Sequence, residues 1–290
     1  VATADAHFSI GKTHRVCEDY ARAGLLPDGR AFAIVSDGCS SSPDTDFGSR
    51  LMTIAAQERM MLSGDFFEPS GVVWQALSAA RGMRLPHTCL DATLMTLFQK
   101  ANGDVRAFLV GDGALAARRR TGEIEIWRML FLPGESGLVA PGYLTYTLEK
   151  ERLDRYIDQG YNSWAMYRTL DGVHQDTETG DVSYRIGEDG TLSPQGFWRV
   201  VDFPAQEYDF VMVCSDGVES FQKKVAPGTF EPVPFLEVMS HMTAMKSLKG
   251  PFVTKRMKRF LERAVPRLEW QHYDDVAAAG ITLTEPVEQS

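Results

Sequence analysis

Apolar positions along the chain follow two periods. Ala31 to Val35 is a continuous apolar run, the pattern of a short strand buried on both faces, and it stops at Ser36-Asp37-Gly38. The same event recurs twice: Phe108-Leu109-Val110 runs into Gly111-Asp112-Gly113, and Phe210 to Cys214 runs into Ser215-Asp216-Gly217. Residues 5 to 10 predict a first strand. Tyr20–Leu25 predicts another, joined to the Ala31 strand as a hairpin through Pro27-Asp28-Gly29. Ala92 to Phe98, Val105 to Val110, Leu115 to Arg118, Glu123 to Trp127 and Val276 to Leu283 add further strands, with Asn102-Gly103-Asp104 and Thr121-Gly122 as turns.

The helical period appears in four places. Phe47, Leu51, Ile54, Ala55 and Met61 mark a helix from about Asp46 to Met61, capped by Asp44 or Thr45. Val73, Ala76, Leu77 and Ala80 mark a second over Val72 to Met83. Two more fall at Phe235–Ser247 and Phe252–Val265, where Lys246, Lys249, Lys255, Arg256, Lys258 and Arg259 read as a solvated face. Residues 131 to 205 are rich in Gly, Asp and aromatics. They predict strands with long loops, including Leu144–Leu148 and Gly196–Val201, and a flap beside the site. The whole, residues 1–290, reads as a single α+β domain without internal repeat or linker.

Composition narrows the classes. Hydrophobic content of 44% and charged content of 24% are those of a globular protein, and a net charge of −9 argues against a nucleic-acid surface. No apolar run reaches the length of a membrane span, and no signal-peptide pattern stands at the start, although a chain beginning at Val1 leaves a removed leader open. Cys17, Cys39, Cys89 and Cys214 are widely spaced and lack a metal-knuckle pattern, which points to a reducing, cytoplasmic setting.

An Asp at a strand end is a poor strand former and is costly to bury unpaired. One such Asp is a turn residue. Three, together with the acidic pairs Glu18-Asp19 and Asp274-Asp275, are better explained by carboxylates converging on a cation. An oxygen-only donor set favours Mg²⁺, Mn²⁺ or Ca²⁺ over zinc. Acids on opposed strand ends suit a pair of ions about 3.5–4 Å apart, a site fitted to phosphate-ester hydrolysis by a bridging water.

The order Glu18-Asp19, Val35-Ser36-Asp37-Gly38, Asp91-Ala92-Thr93, Val110-Gly111-Asp112, Ser215-Asp216-Gly217 and Asp274-Asp275-Val276 resembles the metal-dependent type-2C serine/threonine phosphatases, in their bacterial form, from about Asp5 to Leu283. The resemblance implies an α-β-β-α sandwich, two central antiparallel sheets flanked by helices. It implies a phosphoserine/phosphothreonine protein phosphatase with two Mn²⁺ or Mg²⁺ ions and no covalent intermediate, acting as a monomer on phosphorylated proteins. Carried over by residue, Asp37 bridges both metals with the Gly38 carbonyl on one, and Asp216 and Asp274 hold the other. Glu18 and Asp19 act through or beside bound waters, and Asp112 serves a weaker third ion. His14 stands where the family has its phosphate-gripping Arg, with Arg15 one step later, so these two are the substrate-binding candidates. Cys39 replaces the His of animal-type members, and Asp91 stands where Gly is usual. These departures keep two alternatives open: a catalytically weak binding module on the same fold, or a metal hydrolase of small phosphate esters.

Overall fold

The computed structural model describes residues 2–135, 137–186 and 192–283. In chain order the elements are β1 (Ala4–Ser9), β2 (Asp19–Leu25), β3 (Ala31–Asp37), α1 (Thr45–Ser63), α2 (Val72–Gly82), β4 (Leu94–Gln99), β5 (Val105–Val110), β6 (Gly113–Arg119) and β7 (Ile124–Phe131). Then come α3 (Lys150–Asp158), β8 (Ser163–Leu170), β9 (Val173–Asp181), β10 (Ser183–Ile186), β11 (Leu192–Gln195), β12 (Trp198–Phe203) and β13 (Tyr208–Cys214). The chain closes with β14 (Phe221–Ala226), β15 (Thr229–Pro232), α4 (Phe235–Thr243), α5 (Phe252–Arg259), β16 (Trp270–His272) and β17 (Val276–Thr282). A π-helical turn, Phe260–Ala264, prolongs α5.

Two antiparallel sheets make the frame, one ordered β1-β17-β13-β6-β7-β8-β9 and the other β12-β5-β4-β3-β2. The period of two along the central strands divides their side chains between two cores. Ala277, Ala279 and Ile281 of β17, Val211 and Val213 of β13, and Leu115 and Ala117 of β6 face the core shared with the second sheet. Their neighbours Val276, Ala278, Phe210, Met212, Cys214, Ala114 and Ala116 face a separate core built with α4 and α5. Helices α1 and α2 cover the other sheet through Met52, Ala56, Met60, Val73 and Leu77. The layer order is therefore α-β-β-α, as expected. No helix among the described residues is long and apolar enough to cross a membrane.

Three local expectations are corrected. Leu144–Leu148 is a 3₁₀ helix rather than a strand, because Tyr143, Tyr146 and Tyr156 pack on one another and Thr147 Oγ1 donates back to the Leu144 carbonyl. The start of α1 carries no side-chain cap, since Asp44 sits in the left-handed region at φ 56° and Thr45 turns its hydroxyl to Glu18 instead. The basic run expected on a helix through Ser247 is split, with α4 ending at Thr243. The polar tail after Leu283 lies outside the described residues.

Candidate metal centre

Strand register brings the acidic motifs to one edge of the sandwich. Asp19 opens β2 directly opposite Asp37 at the end of β3. Cys214 pairs with Ala114 on one side and with Ala278 on the other. Asp216 after β13, Asp112 before β6 and Asp274-Asp275 before β17 therefore reach the same edge. Two glycines are needed for this approach. Gly111 has φ 85° and a Cβ there would stand 2.6 Å from Thr93 Cγ2, while a Cβ on Gly217 would stand 1.6 Å from the Asp275 carbonyl oxygen.

The carboxyl of Asp37 lies close enough to those of Asp19 and Asp216 for their charges to raise its pKa, a proximity that calls for bound protons unless a cation intervenes. Asp19 is 1% exposed, and Ser215 Oγ donates to its Oδ2 at 2.6 Å. Asp37, Asp112 and Asp216 keep some surface open, yet each lies deep enough to be perturbed. Burial raises the pKa of all four acids. The neighbouring Asp19 and Asp216 charges add to the effect at Asp37, and the Asp216 charge adds to it at Asp112. Among the described residues, no group of three or more His, Cys, Asp or Glu side chains is spaced as ligands around a common point. The acids instead meet carboxyl to carboxyl.

The remaining candidates are placed differently. Glu18 accepts from Ser40 Oγ at 2.6 Å and from Thr45 Oγ1 at 3.1 Å, which ties it to the loop before α1. The Gly38 N–H donates to the Glu18 carbonyl at 3.2 Å. His14 is drawn into the acids, with Nε2 3.3 Å from Asp274 Oδ1 and Nδ1 3.0 Å from Asp275 Oδ2. Burial opposes protonation of His14, but Asp275, Asp274 and Glu18 outweigh it and raise its pKa. Arg15 is exposed and has no hydrogen bond or ion pair among the described residues. Asp274 has a side chain 46% exposed.

The roles of several residues at this edge were not foreseen. Asp275 is buried and clamps the loop from Gly11 to Glu18 by accepting the Gly11 N–H at 2.7 Å and the Glu18 N–H at 2.6 Å. The doubled acid was visible in the sequence, but not its division into one open and one structural carboxylate. Asp91, 0% exposed, takes a bidentate contact from Arg152 of α3, with Nη1 donating to Oδ1 at 2.9 Å and Nη2 to Oδ2 at 2.5 Å. It also accepts from Thr145 Oγ1 at 2.6 Å and Ser42 Oγ at 2.7 Å. This cluster ties the segment 143–152 to the Cys39–Ser42 loop. It places Tyr143 against Cys39, where burial, then the proximity of Cys39 and Asp112, raises the phenol's pKa. Nothing in the sequence around Tyr143 signals this position.

The site thus gathers carboxylates at one edge of a sandwich of two antiparallel sheets. Residues 9–262 match the profile of the protein phosphatase 2C family, and the chain belongs to that family. It is accordingly a phosphoprotein phosphatase of a metal-dependent family that uses Mn²⁺ or Mg²⁺. Among solved structures, the Mycobacterium tuberculosis serine/threonine phosphatase PstP/Ppp aligns over 98% of this chain and 100% of its own, with 15% identity and a TM-score of 0.53. The Staphylococcus aureus serine/threonine phosphatase Stp1 aligns over 98% and 96%, with 12% identity and a TM-score of 0.53. At those identities the likeness bears on the fold. None of the curated proteins compared with the chain matches it.

Proposed function

We propose that this phosphatase hydrolyses phosphoserine and phosphothreonine in proteins at the edge lined by Asp19, Asp37, Asp112, Asp216 and Asp274, with two divalent cations and a weaker third held there. The observation that carries the assignment is the crowding of Asp19, Asp37, Asp112 and Asp216, each raised by burial. No Arg or Lys forms an ion pair with any of the four among the described residues. Carboxylates so placed need protons or cations, and an oxygen-only donor set fits Mn²⁺ or Mg²⁺. Asp37, the Gly38 carbonyl, Asp216 and Asp274 would hold the ions, with Glu18 and Asp19 beside them and Asp112 at the third position. Bound, such ions neutralise the acids, polarise phosphoryl oxygens and lower the pKa of a coordinated water.

The chain's own residues then set orientation. Ser215 fixes the Asp19 carboxyl, and the Thr93 hydroxyl accepts the Asp37 N–H at 3.1 Å. Asp275 holds the loop that carries His14, Arg15 and Glu18. With His14 engaged by Asp274 and Asp275 and Lys12 bonded to Gln271, Arg15 is the cation on that loop available to a phosphoryl group. Residues 1–290 act as one phosphatase domain in this reading, with 131–205 supplying the flap.

The test is hydrolysis of a phosphoserine peptide by the purified chain with Mn²⁺, with Mg²⁺ and after chelation. Activity should appear with either ion and disappear on chelation. Full turnover after verified metal removal would overturn the assignment.

A further inference from the structure

The basic residues read from the sequence as a solvated face do not all point separately into solvent. Between the end of α4 and the start of α5 lies a cleft of about 80 Å³ walled by Lys246, Lys255, Arg256 and Arg259, with Met245 and Phe252 at its base. Among the described residues, no carboxylate lines it. None of the four cations forms an ion pair among the described residues. Arg256 is anchored through Nε on the His241 carbonyl. Burial lowers its pKa, and the like charge of Arg259 adds to the effect.

The acids on neighbouring elements are accounted for elsewhere. Asp5 accepts from the Thr254 N–H and hydroxyl, and Asp209 is held bidentately by Arg118. Glu237 and Glu262 lie near His241 and His7 respectively, and neither lines the cleft. In a chain of net charge −9 this concentration of positive charge runs against the whole.

The cleft is also remote from the acid cluster. Phe252 packs edge-on against Phe210 with ring centroids 5.8 Å apart, and Phe210 pairs with Thr282 at the far end of β13 and β17. From Phe210 to Cys214 the strand alone covers about 13 Å. The cleft opens onto a larger groove of about 530 Å³ that shares Lys246 and Ser247 and continues past Lys249 to Thr282 and Leu283.

We propose that this cleft is a second phosphoryl-binding site, which holds another phosphate of a multiply phosphorylated protein while the adjoining groove takes its chain. The inference deepens the proposed function and rests on it for the identity of the substrate. An Arg fork and clustered ammonium groups match a tetrahedral oxyanion, and about 80 Å³ is room for two or three waters or one such anion. A membrane surface fits less well, because Met245 and Phe252 are buried rather than projecting from the basic face.

The decisive protein is the triple variant Lys246→Ala, Lys255→Ala, Arg259→Ala, all at exposed positions. In the Mn²⁺-loaded enzyme, KM for phosphorylated casein should rise about tenfold at low salt, with the difference shrinking as salt is added. Turnover of p-nitrophenyl phosphate should stay within about twofold of the parent, since that ester reaches the acid cluster alone. An unchanged KM for phosphorylated casein, or an equal loss on both substrates, overturns the site. Should the parent enzyme hydrolyse neither substrate, the functional reading fails while the cleft is judged by binding. In that arm, the anisotropy of a labelled phosphoserine peptide with the Asp37→Asn protein should show about tenfold weaker binding after the three substitutions. Equal binding of the unphosphorylated peptide, or an effect confined to phosphatidylglycerol vesicles, overturns the proposal.

Discussion

Apart from Asp275, which backbone N–H groups and His14 hold, the buried acids of this molecule occur in two kinds of surroundings. Asp91 and Glu125 are both 0% exposed, and each is met by arginine. Asp91 has Arg152, Thr145 and Ser42, and Glu125 has Arg119, Arg168 and Tyr208. At the sandwich edge, Asp19, Asp37, Asp112 and Asp216 lie close together with hydroxyl and carboxyl neighbours but, among the described residues, no arginine partner. The fold thus neutralises its structural carboxylates internally and leaves the edge group for something external. Glu219, only partly buried, is neutralised in the same way, gripped bidentately by Arg128.

The largest expected effect comes from removing one edge acid. Asp37→Asn or Asp216→Asn should lower kcat with Mn²⁺ by about a hundredfold or more, because each would hold a cation at the reacting centre. The metal-free variant should melt no lower than the parent, since a like-charge contact has been relieved. Steady-state kinetics and thermal melts of metal-free protein check both halves. Near-parental turnover with metal bound would remove that residue from the site.

The opposite sign is expected at the neutralised acid. Arg152→Ala leaves Asp91 buried with two hydroxyl donors and should destabilise the fold by about 3 kcal/mol, read by urea denaturation. Asp91→Asn combined with Arg152→Met should cost less than Arg152→Ala alone, because no uncompensated charge remains. A loss below about 1 kcal/mol in Arg152→Ala would mean that the pair is solvated like an exposed one.

This contrast explains why part of the molecule was legible in the sequence. Asp37, Asp112 and Asp216 stand out because each ends a continuous apolar run and adjoins glycine, a local signal for a global event. The two-sheet frame follows from the same runs and their turns. Asp274 and Asp275 could not be told apart, since what separates them is contact with Gly11 and Glu18, more than 250 residues away in sequence. Asp91 was marked as a departure at a position where Gly is usual, but its partner Arg152 lies in the stretch whose pattern was weakest. There, Leu144–Leu148 alternates like a strand, while tyrosine packing and the Thr145 bond to Asp91 impose a 3₁₀ turn. Tertiary contact outweighs β propensity at that point.

A pH dependence sharpens the comparison. The folded pKa values of Asp19, Asp37, Asp112 and Asp216 lie above their unfolded values, so the native state binds more protons than the unfolded chain across the interval between them. Their contribution is fully present below the ordinary carboxylate range and is lost as pH rises through the raised values. Asp28, Asp154 and Asp202 are shifted downward by Arg30, Lys150 and Arg106, and so act at more acidic pH. The melting temperature of metal-free protein should therefore fall from about pH 5 to pH 8, more steeply than in Asp37→Asn, and Mn²⁺ should restore it. Equal slopes in the two proteins would contradict the coupling among these acids.

The smallest effect separates two adjacent cations on one loop. His14 is held between Asp274 and Asp275, whereas Arg15 is exposed and unpaired among the described residues. If Arg15 meets the phosphoryl group, Arg15→Ala should raise KM for a phosphoserine peptide about three- to tenfold and leave the Mn²⁺ concentration for half-maximal activity unchanged. His14→Ala should do the reverse. It removes a cation that competes for Asp274, so less Mn²⁺ should be needed while KM for the peptide moves little. Titrations of both ion and peptide with each variant distinguish the two roles. A KM increase in His14→Ala larger than that in Arg15→Ala would show that the histidine leaves the acids when substrate arrives, and would reverse the assignment.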